Sequence, residues 1–166
     1  MSGALLTDEE RAFLLGCRRI VLCTIAADGS ARPAPVCFAV LERGGNGGTA
    51  AVEVLYTALD EKPKRVADPH LLARVRDIEA CPEVTLLADR WDEDWGKLAW
   101  LRLHGTATLL EPGATSPPGA GTFEDEHVTV VSALRARYPQ YTGHDLAARP
   151  IIRVAITRVL SWGTLG

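Results

Sequence analysis

Two runs of strand-forming residues, 19–27 (RIVLCTIAA) and 32–41 (RPAPVCFAVL), are separated by a short segment built on Asp28-Gly29. An Asp-Gly pair between apolar, β-branched runs is a strong local signal for a hairpin, because glycine supplies the positive φ that a tight turn demands. The first strands are therefore antiparallel. A doubly wound sheet would instead need a helical crossover between them. Pro33 and Pro35 lie in the second run and cannot donate ladder hydrogen bonds. They push that half of the strand to a sheet edge, or leave its backbone free to meet a ligand. An ordinary proline-blunted edge gives the same pattern.

The rest of the chain continues in this manner. Thr7-Asp8-Glu9-Glu10 reads as a capping box opening a short helix that runs to about Gly16. A glycine-rich loop, 43–48, leads to a third strand at 49–57. Asp68-Pro69 marks a helix start, with Asp68 as N-cap and Leu71, Leu72, Val75 and Ile78 as its apolar stripe. Strands are expected at 83–88, at 97–110 with Gly105 at a bulge, and at 150–161 with Trp162 at its end. A helix within 123–138 has Val128, Val131, Ala133 and Leu134 on its apolar side. Residues 111–122 (EPGATSPPGAGT) read as a surface loop. Six strands joined largely by hairpins, with few helices, imply an antiparallel sheet that curls into a barrel to hide its edges. At 166 residues, one domain spanning 1–166 is expected.

Several function classes are disfavoured. No GxGxxG opens a helix after a strand and no GxxxxGK[ST] occurs, so neither a Rossmann site nor a P-loop is indicated. The net charge of −3 argues against a nucleic-acid binder. No apolar run approaches the ~20 residues of a membrane span, and the N-terminus lacks a signal-peptide pattern, so a cytoplasmic, membrane-free protein is expected. Cys17, Cys23, Cys37 and Cys81 form no CxxC pair and read as reduced, mostly buried thiols. His70, His104, His127 and His144 are scattered, so no metal site is expected. The acidic, aromatic segment 89–96 (DRWDEDWG) is not an EF-hand loop. It reads as a hairpin loop whose Trp91 and Trp95 pack at a pocket or a subunit contact.

The segment with the most chemistry is 56–65 (YTALDEKPKR). A strand ends in the hydroxyl pair Tyr56-Thr57, and Lys62, Lys64 and Arg65 follow within one loop. Hydroxyl donors beside ammonium and guanidinium groups are what a bound phosphate requires. By itself the segment is also what a strand followed by a solvated basic turn looks like.

Taken in order, TIAADGSARPAPVCFAV, LYTALDEKPKR, ACPEVTLLADRW, LAWLRLHGTATL and the closing strand before Trp162 resemble the pyridoxamine-phosphate-oxidase-like split β-barrel family over nearly the whole chain. The stretch DRWDEDWGKLAWLRLHGTATL is most similar to the actinobacterial branch that uses the deazaflavin coenzyme F420. The resemblance implies a homodimer with the cofactor in a groove between barrels. It implies that Pro35, Val36, Cys37 and Phe38 run beside the ring, with Tyr56 and Thr57 near the phosphate end. It places Lys62, Lys64 and Arg65 on the phosphate, with Arg74 or Arg76 as lesser candidates for an anionic tail. Asp89 and Trp91 would border the ring or the tail, and Trp95 and Trp162 are weaker carry-overs. The arginine and lysine that flank the matching strand of the vitamin-B6 oxidases are absent from 34–39 (APVCFA). Their absence argues against pyridoxine-phosphate oxidation and favours the deazaflavin over flavin mononucleotide (FMN). The implied activity is hydride transfer from reduced F420 to a small organic substrate, with no catalytic residue assigned. The alternatives are an FMN oxidoreductase of the same fold, or a non-catalytic flavin-, deazaflavin- or haem-binding protein.

Overall fold

The computed structural model describes residues 5–43, 52–59, 67–113 and 123–166. Among these, one antiparallel sheet has the strand order β2-β1-β5-β6-β7-β4-β3. Its strands are β1 (Ile20–Ile25), β2 (Ala31–Val36), β3 (Ala39–Arg43), β4 (Val52–Ala58), β5 (Glu83–Arg90), β6 (Ala99–Leu110) and β7 (Ile151–Gly163). Helices α1 (Asp8–Gly16), α2 (Ala73–Ala80) and α3 (Phe123–Arg137) pack on it. None of the described helices is long and apolar enough to cross a membrane.

The hairpin forms as its sequence requires. Ile25 pairs with Ala31, Gly29 adopts φ 81°, and the Asp28 carboxylate accepts from the backbone and hydroxyl of Ser30. β2 is an edge strand with Pro33 opposite Cys23 and Pro35 opposite Val21. Two residues apart, both proline nitrogens point to the same side of the strand, so the missing donors can face the side that has no partner.

The strand count is seven, not six, because the run 32–41 breaks at Cys37-Phe38. The Tyr138 hydroxyl takes over the backbone there. It accepts from the Phe38 N–H at 3.0 Å and donates to the Phe38 carbonyl at 3.0 Å, so that residue satisfies both groups without a neighbouring strand. The Arg137 guanidinium donates to the same hydroxyl and lies over the Phe38 ring. β2 and β3, the two edges of the sheet, are thus consecutive in the chain and joined by two residues.

Two apolar clusters pack against the sheet. One gathers Leu22, Phe38, Leu55, Leu86, Leu101, Leu103 and Val154 with Phe13 and Leu14 of α1 and Val75 and Ile78 of α2. The other lies under α3, where Val130 and Leu134 meet Val54 and Tyr56 of β4. β4 is therefore buried on both faces. Val128, expected on the inner side of α3, is 61% exposed, and the buried positions there include Val130, Val131 and Leu134.

Buried carboxylates tie the helices to the sheet. Glu53 accepts from the Leu6 amide and pairs with Arg11 of α1. Asp77 of α2 accepts from the Thr24 hydroxyl at 2.8 Å and from Arg32 at 2.9 Å. α1 has the expected reciprocal capping box, Thr7 with Glu10. α2 starts later than its sequence suggests. Asp68 caps a 3-10 turn, Pro69–Leu71, and Leu72 then turns extended before the α-helix begins at Ala73. That leaves Leu71 exposed. The glycine bulge falls where the alternation of β6 places it, with a register shift at His104/Gly105.

His70, in the turn before α2, bridges two carboxylates. Its Nε2 lies 2.8 Å from Glu111, just beyond β6, and its Nδ1 lies 3.2 Å from Asp68. The hydrogen bond to Glu111, then that to Asp68, raise its pKa above 6.5. This clasp therefore stabilises the fold fully below the unfolded pKa and fades as pH rises through the raised folded value. In thermal melts, His70→Gln should lower Tm at pH 5.5 and leave it close to wild type at pH 9. An equal Tm loss at both values would show that protonation of the ring is not involved. The effect will be small, because all three groups are exposed to solvent.

Candidate cofactor groove on the outer sheet face

Alternation along the strands sets which side chains leave the core. Ile20, Leu22 and Thr24 of β1 point inward, so Val21, Cys23 and Ile25 point out. The same logic turns Thr85, Leu87 and Asp89 of β5 outward, with Trp100, Arg102 and His104 of β6. Pairing arranges these into rows across the sheet. Asp89, Trp100 and Trp162 form one, Pro35, Val21, Leu87, Arg102 and Leu160 the next, and Pro33, Cys23, Thr85, His104 and Arg158 a third.

A groove of about 520 Å³ runs over these rows, lined by Val21, Cys23, Pro33, Thr85, Leu87, Asp89, Trp100 and Arg102. Its walls are mostly apolar, with a carboxylate and a guanidinium on its margin. The Arg102 guanidinium lies 5.4 Å from the centre of the Trp100 ring, a cation–π contact. Next to it, Arg158 Nη2 is 3.1 Å from His104 Nε2, and His104 Nδ1 is 3.3 Å from the Thr85 hydroxyl. Arginine can only donate, so Nε2 accepts and the proton of the neutral ring sits on Nδ1, facing Thr85. Burial first, then the charges of Arg158 and Arg102, push the His104 pKa below 6.5.

Asp89 also lines a second cavity, of about 560 Å³, between the end of α1 and residues 89–91, with Phe13, Cys17 and Trp91 on its wall. Burial, and then the Asp89 charge, push the Cys17 thiol above its ordinary pKa. Arg90 closes this region by donating to the Lys97 and Thr164 carbonyls. All four cysteines are free, and none is fully buried as the sequence suggested.

The residues expected at a cofactor are only partly gathered. Pro35 is exposed and Asp89 sits on the groove. Trp162 is 54% exposed in the row of Trp100 and is part of β7. Trp91 and Trp95 are exposed on the adjacent loop. Val36 and Phe38 are core residues, and Cys37 lines a separate, smaller cavity beside Tyr138, Tyr141 and His144. Tyr56 and Thr57 do not offer hydroxyls at a surface. Both are enclosed on β4, and the Tyr56 hydroxyl donates to Glu126 at 2.5 Å, where Arg153 also binds. Lys62, Lys64 and Arg65 lie outside the described residues. Arg74 and Arg76 project from α2, away from the groove lining. The groove residues that sequence reasoning passed over are Val21, Cys23, Thr85, Leu87, Trp100 and Arg102. In WLRLH, the inward leucines already imply that Trp100, Arg102 and His104 share the opposite face.

A family model described as pyridoxamine 5'-phosphate oxidase matches residues 6–163. The chain belongs to the pyridoxamine 5'-phosphate oxidase family. Solved structures bear out the split-barrel fold of this family. A conserved hypothetical protein from Mycobacterium tuberculosis is 18% identical, with 98% of this chain and 88% of that one covered at a TM-score of 0.62. The haem-storage protein HutZ of Vibrio cholerae is 13% identical, with 95% and 94% covered at 0.59. An F420 reductase is 19% identical, with 93% and 98% covered at 0.57. At these identities the likeness is one of fold. No curated protein matches the chain.

Proposed function

We propose that this family member is an oxidoreductase that binds coenzyme F420, with FMN as the alternative ligand, in the groove on the outer face of β1, β5 and β6. The observation that carries this reading is the groove itself. Its 520 Å³ lies within the range of small-molecule sites, roughly 300–1,000 Å³, and its apolar floor ends in Trp100 and Arg102. Those residues suit a flat ring with a negatively charged appendage. When bound, the reduced coenzyme supplies the hydride. The protein contributes the rest. Val21, Leu87 and Pro33 exclude water from one ring face, Trp100 borders its edge, and Arg102 offsets negative charge. Lys62 and Lys64, with Arg65 beside them, hold the phosphate. A second copy of the chain covers the exposed face, which includes Leu87, Trp162 and Ile25, and so forms a homodimer with the groove between protomers.

No specific observation favours haem. Both ring nitrogens of His70 and of His104 are already engaged, and His127 is buried with Nε2 on the Arg149 carbonyl.

Absorbance titration with F420 and with FMN decides the matter. Lys64→Ala should weaken binding of the preferred coenzyme by about 10- to 100-fold, the range for a lost charged hydrogen bond, with Tm unchanged. Unchanged affinity for both coenzymes would remove Lys64 from the phosphate site. If wild type binds neither, the redox reading itself falls.

A further inference from the structure

The groove and the row beside it hold two guanidiniums, Arg102 on the lining and Arg158 next to His104. Among the described residues, neither Arg102 nor Arg158 forms an ion pair with Asp or Glu. The carboxylate on the groove lining, Asp89, is diagonal to Arg102 in the β5–β6 pairing and is not bonded to it. Arg158 faces His104 across the β6–β7 pairing and Arg102 lies two residues before it on β6, so both charges act on its ring. They therefore repel each other across one short stretch of sheet.

The second observation is how Arg158 is held. Thr85 fixes the His104 ring, and the Nε2 lone pair of that ring accepts from Arg158. A histidine spent on orienting a cation adds nothing to neutralising it. Among the described residues no other group takes the remaining N–H donors of the guanidinium, and its position is set before any ligand arrives. A pre-oriented arginine beside a second arginine is a fork for an oxyanion, which would relieve their repulsion and accept several charge-assisted hydrogen bonds. Thr85 and Arg102 line the groove, so such an anion would be carried by a molecule seated beside the coenzyme ring on the apolar floor.

The site is separate from the end of β4. Ala58, at that end, pairs with Ile151 of β7, whereas Arg158 lies beyond the bulge on the far half of β7. At about 3.3 Å per residue, the Ile151 end of the pairing is roughly 20 Å away along the strand.

We propose that Arg102 and Arg158, the latter oriented by His104 and Thr85, form an anion site, and that the molecule reduced in the groove is an organic acid bearing a carboxylate or phosphate there. The identity of the occupant as substrate rests on the redox reading given above, whereas the anion site is tested without any coenzyme.

Calorimetric titration of the whole chain with benzoate, phenyl phosphate and neutral benzyl alcohol is the experiment. Wild type should bind at least one of the acids tenfold or more tightly than the alcohol, and the better acid identifies carboxylate or phosphate. Arg158→Ala, outside the groove lining, should abolish that preference while leaving alcohol binding unchanged, and Arg102→Ala should abolish it as well. His104→Gln, which can still accept from Arg158, should retain more of it than His104→Leu. Tm and far-UV circular dichroism establish that each variant folds, and Arg→Gln substitutions replace any alanine variant that does not. Equal affinity for acids and alcohol, or acid binding untouched in folded arginine variants, would overturn the site. So would a wild type that takes up no acid while Arg158→Ala converts a dimer to a monomer, since the guanidiniums would then serve a carboxylate of a second copy. F420 and FMN titrations on the same proteins keep the two readings apart. A wild type that shows no acid preference but binds coenzyme defeats the anion site alone, and acid preference without coenzyme binding defeats the redox reading alone.

Discussion

Tyr138→Phe should destabilise the fold by about 3 kcal/mol, although it removes one oxygen atom. That oxygen is the hub of three hydrogen bonds. It accepts from Phe38 N–H and Arg137 Nε and donates to the Phe38 carbonyl. Phe38 and Tyr138 are both buried, so water cannot replace what is lost. A buried backbone group left without its partner costs about 1–3 kcal/mol, and this change strands two of them. Urea melts should show a lower midpoint with an unchanged m-value. A loss below about 1 kcal/mol would mean that residues 37–38 re-pair with a strand. Arg137 should be the milder site, because it also donates to the Leu15 and Cys17 carbonyls nearer the surface.

Gly105→Ala should be at least as severe, by overcrowding and not by loss of a bond. A Cβ at this position would lie 2.6 Å from both the Ala155 carbonyl oxygen and Val154 Cγ1. The oxygen is backbone in the central pair of the sheet, so relief requires β6 and β7 to move apart at the bulge. Overpacking of this type costs about 1–3 kcal/mol, and the backbone clash places it at or above the upper limit. The measurement is again a urea midpoint, with insoluble expression as the extreme form of the same result. Gly163→Ala makes a useful contrast. Its φ of 88° disfavours any other residue, and its Cβ would meet the Leu98 carbonyl at 2.0 Å. It lies at the end of β7, however, where a terminal residue can peel away. Its cost should be smaller than at Gly105, in spite of the shorter contact.

The sequence was most legible where one residue type has one local use. Asp28-Gly29 dictated a hairpin, Thr7 and Glu10 dictated a cap, and Gly105 interrupted an alternating strand at the bulge. It was least legible where a distant residue decides the outcome. Nothing in 32–41 announces a break, since the group that captures Phe38 is a hydroxyl 100 positions away. The same holds for Tyr56. Its place at a strand end suggested an accessible phenol, but α3 covers that face and Glu126 accepts the hydrogen bond of its hydroxyl. Groove residues were half legible. Alternation gives the face of Trp100 and Arg102, but only pairing with β5 and β1 shows that Leu87, Val21 and Pro33 continue the same surface. Arg102 and Arg158 become one cluster only after β7 lies beside β6.

The strand order also bears on how the chain reaches this state. β7 lies between β6 and β4, although it is made after every other strand. Before residues 151–163 emerge from the ribosome, β6 has β5 on one side only and β4 has β3 on one side only. The nascent protein therefore carries two partial sheets, each with a long unpaired edge, and β6 alone spans 12 residues. Such edges recruit other chains. Insertion of β7 must pair both in one event, across separations of about 50 and 100 residues, which is the kind of non-local closure that slows folding. Yield on expression should thus depend on how quickly β7 is delivered relative to chain–chain encounter. Lower temperature or slower induction should help this protein more than a longer refolding time would.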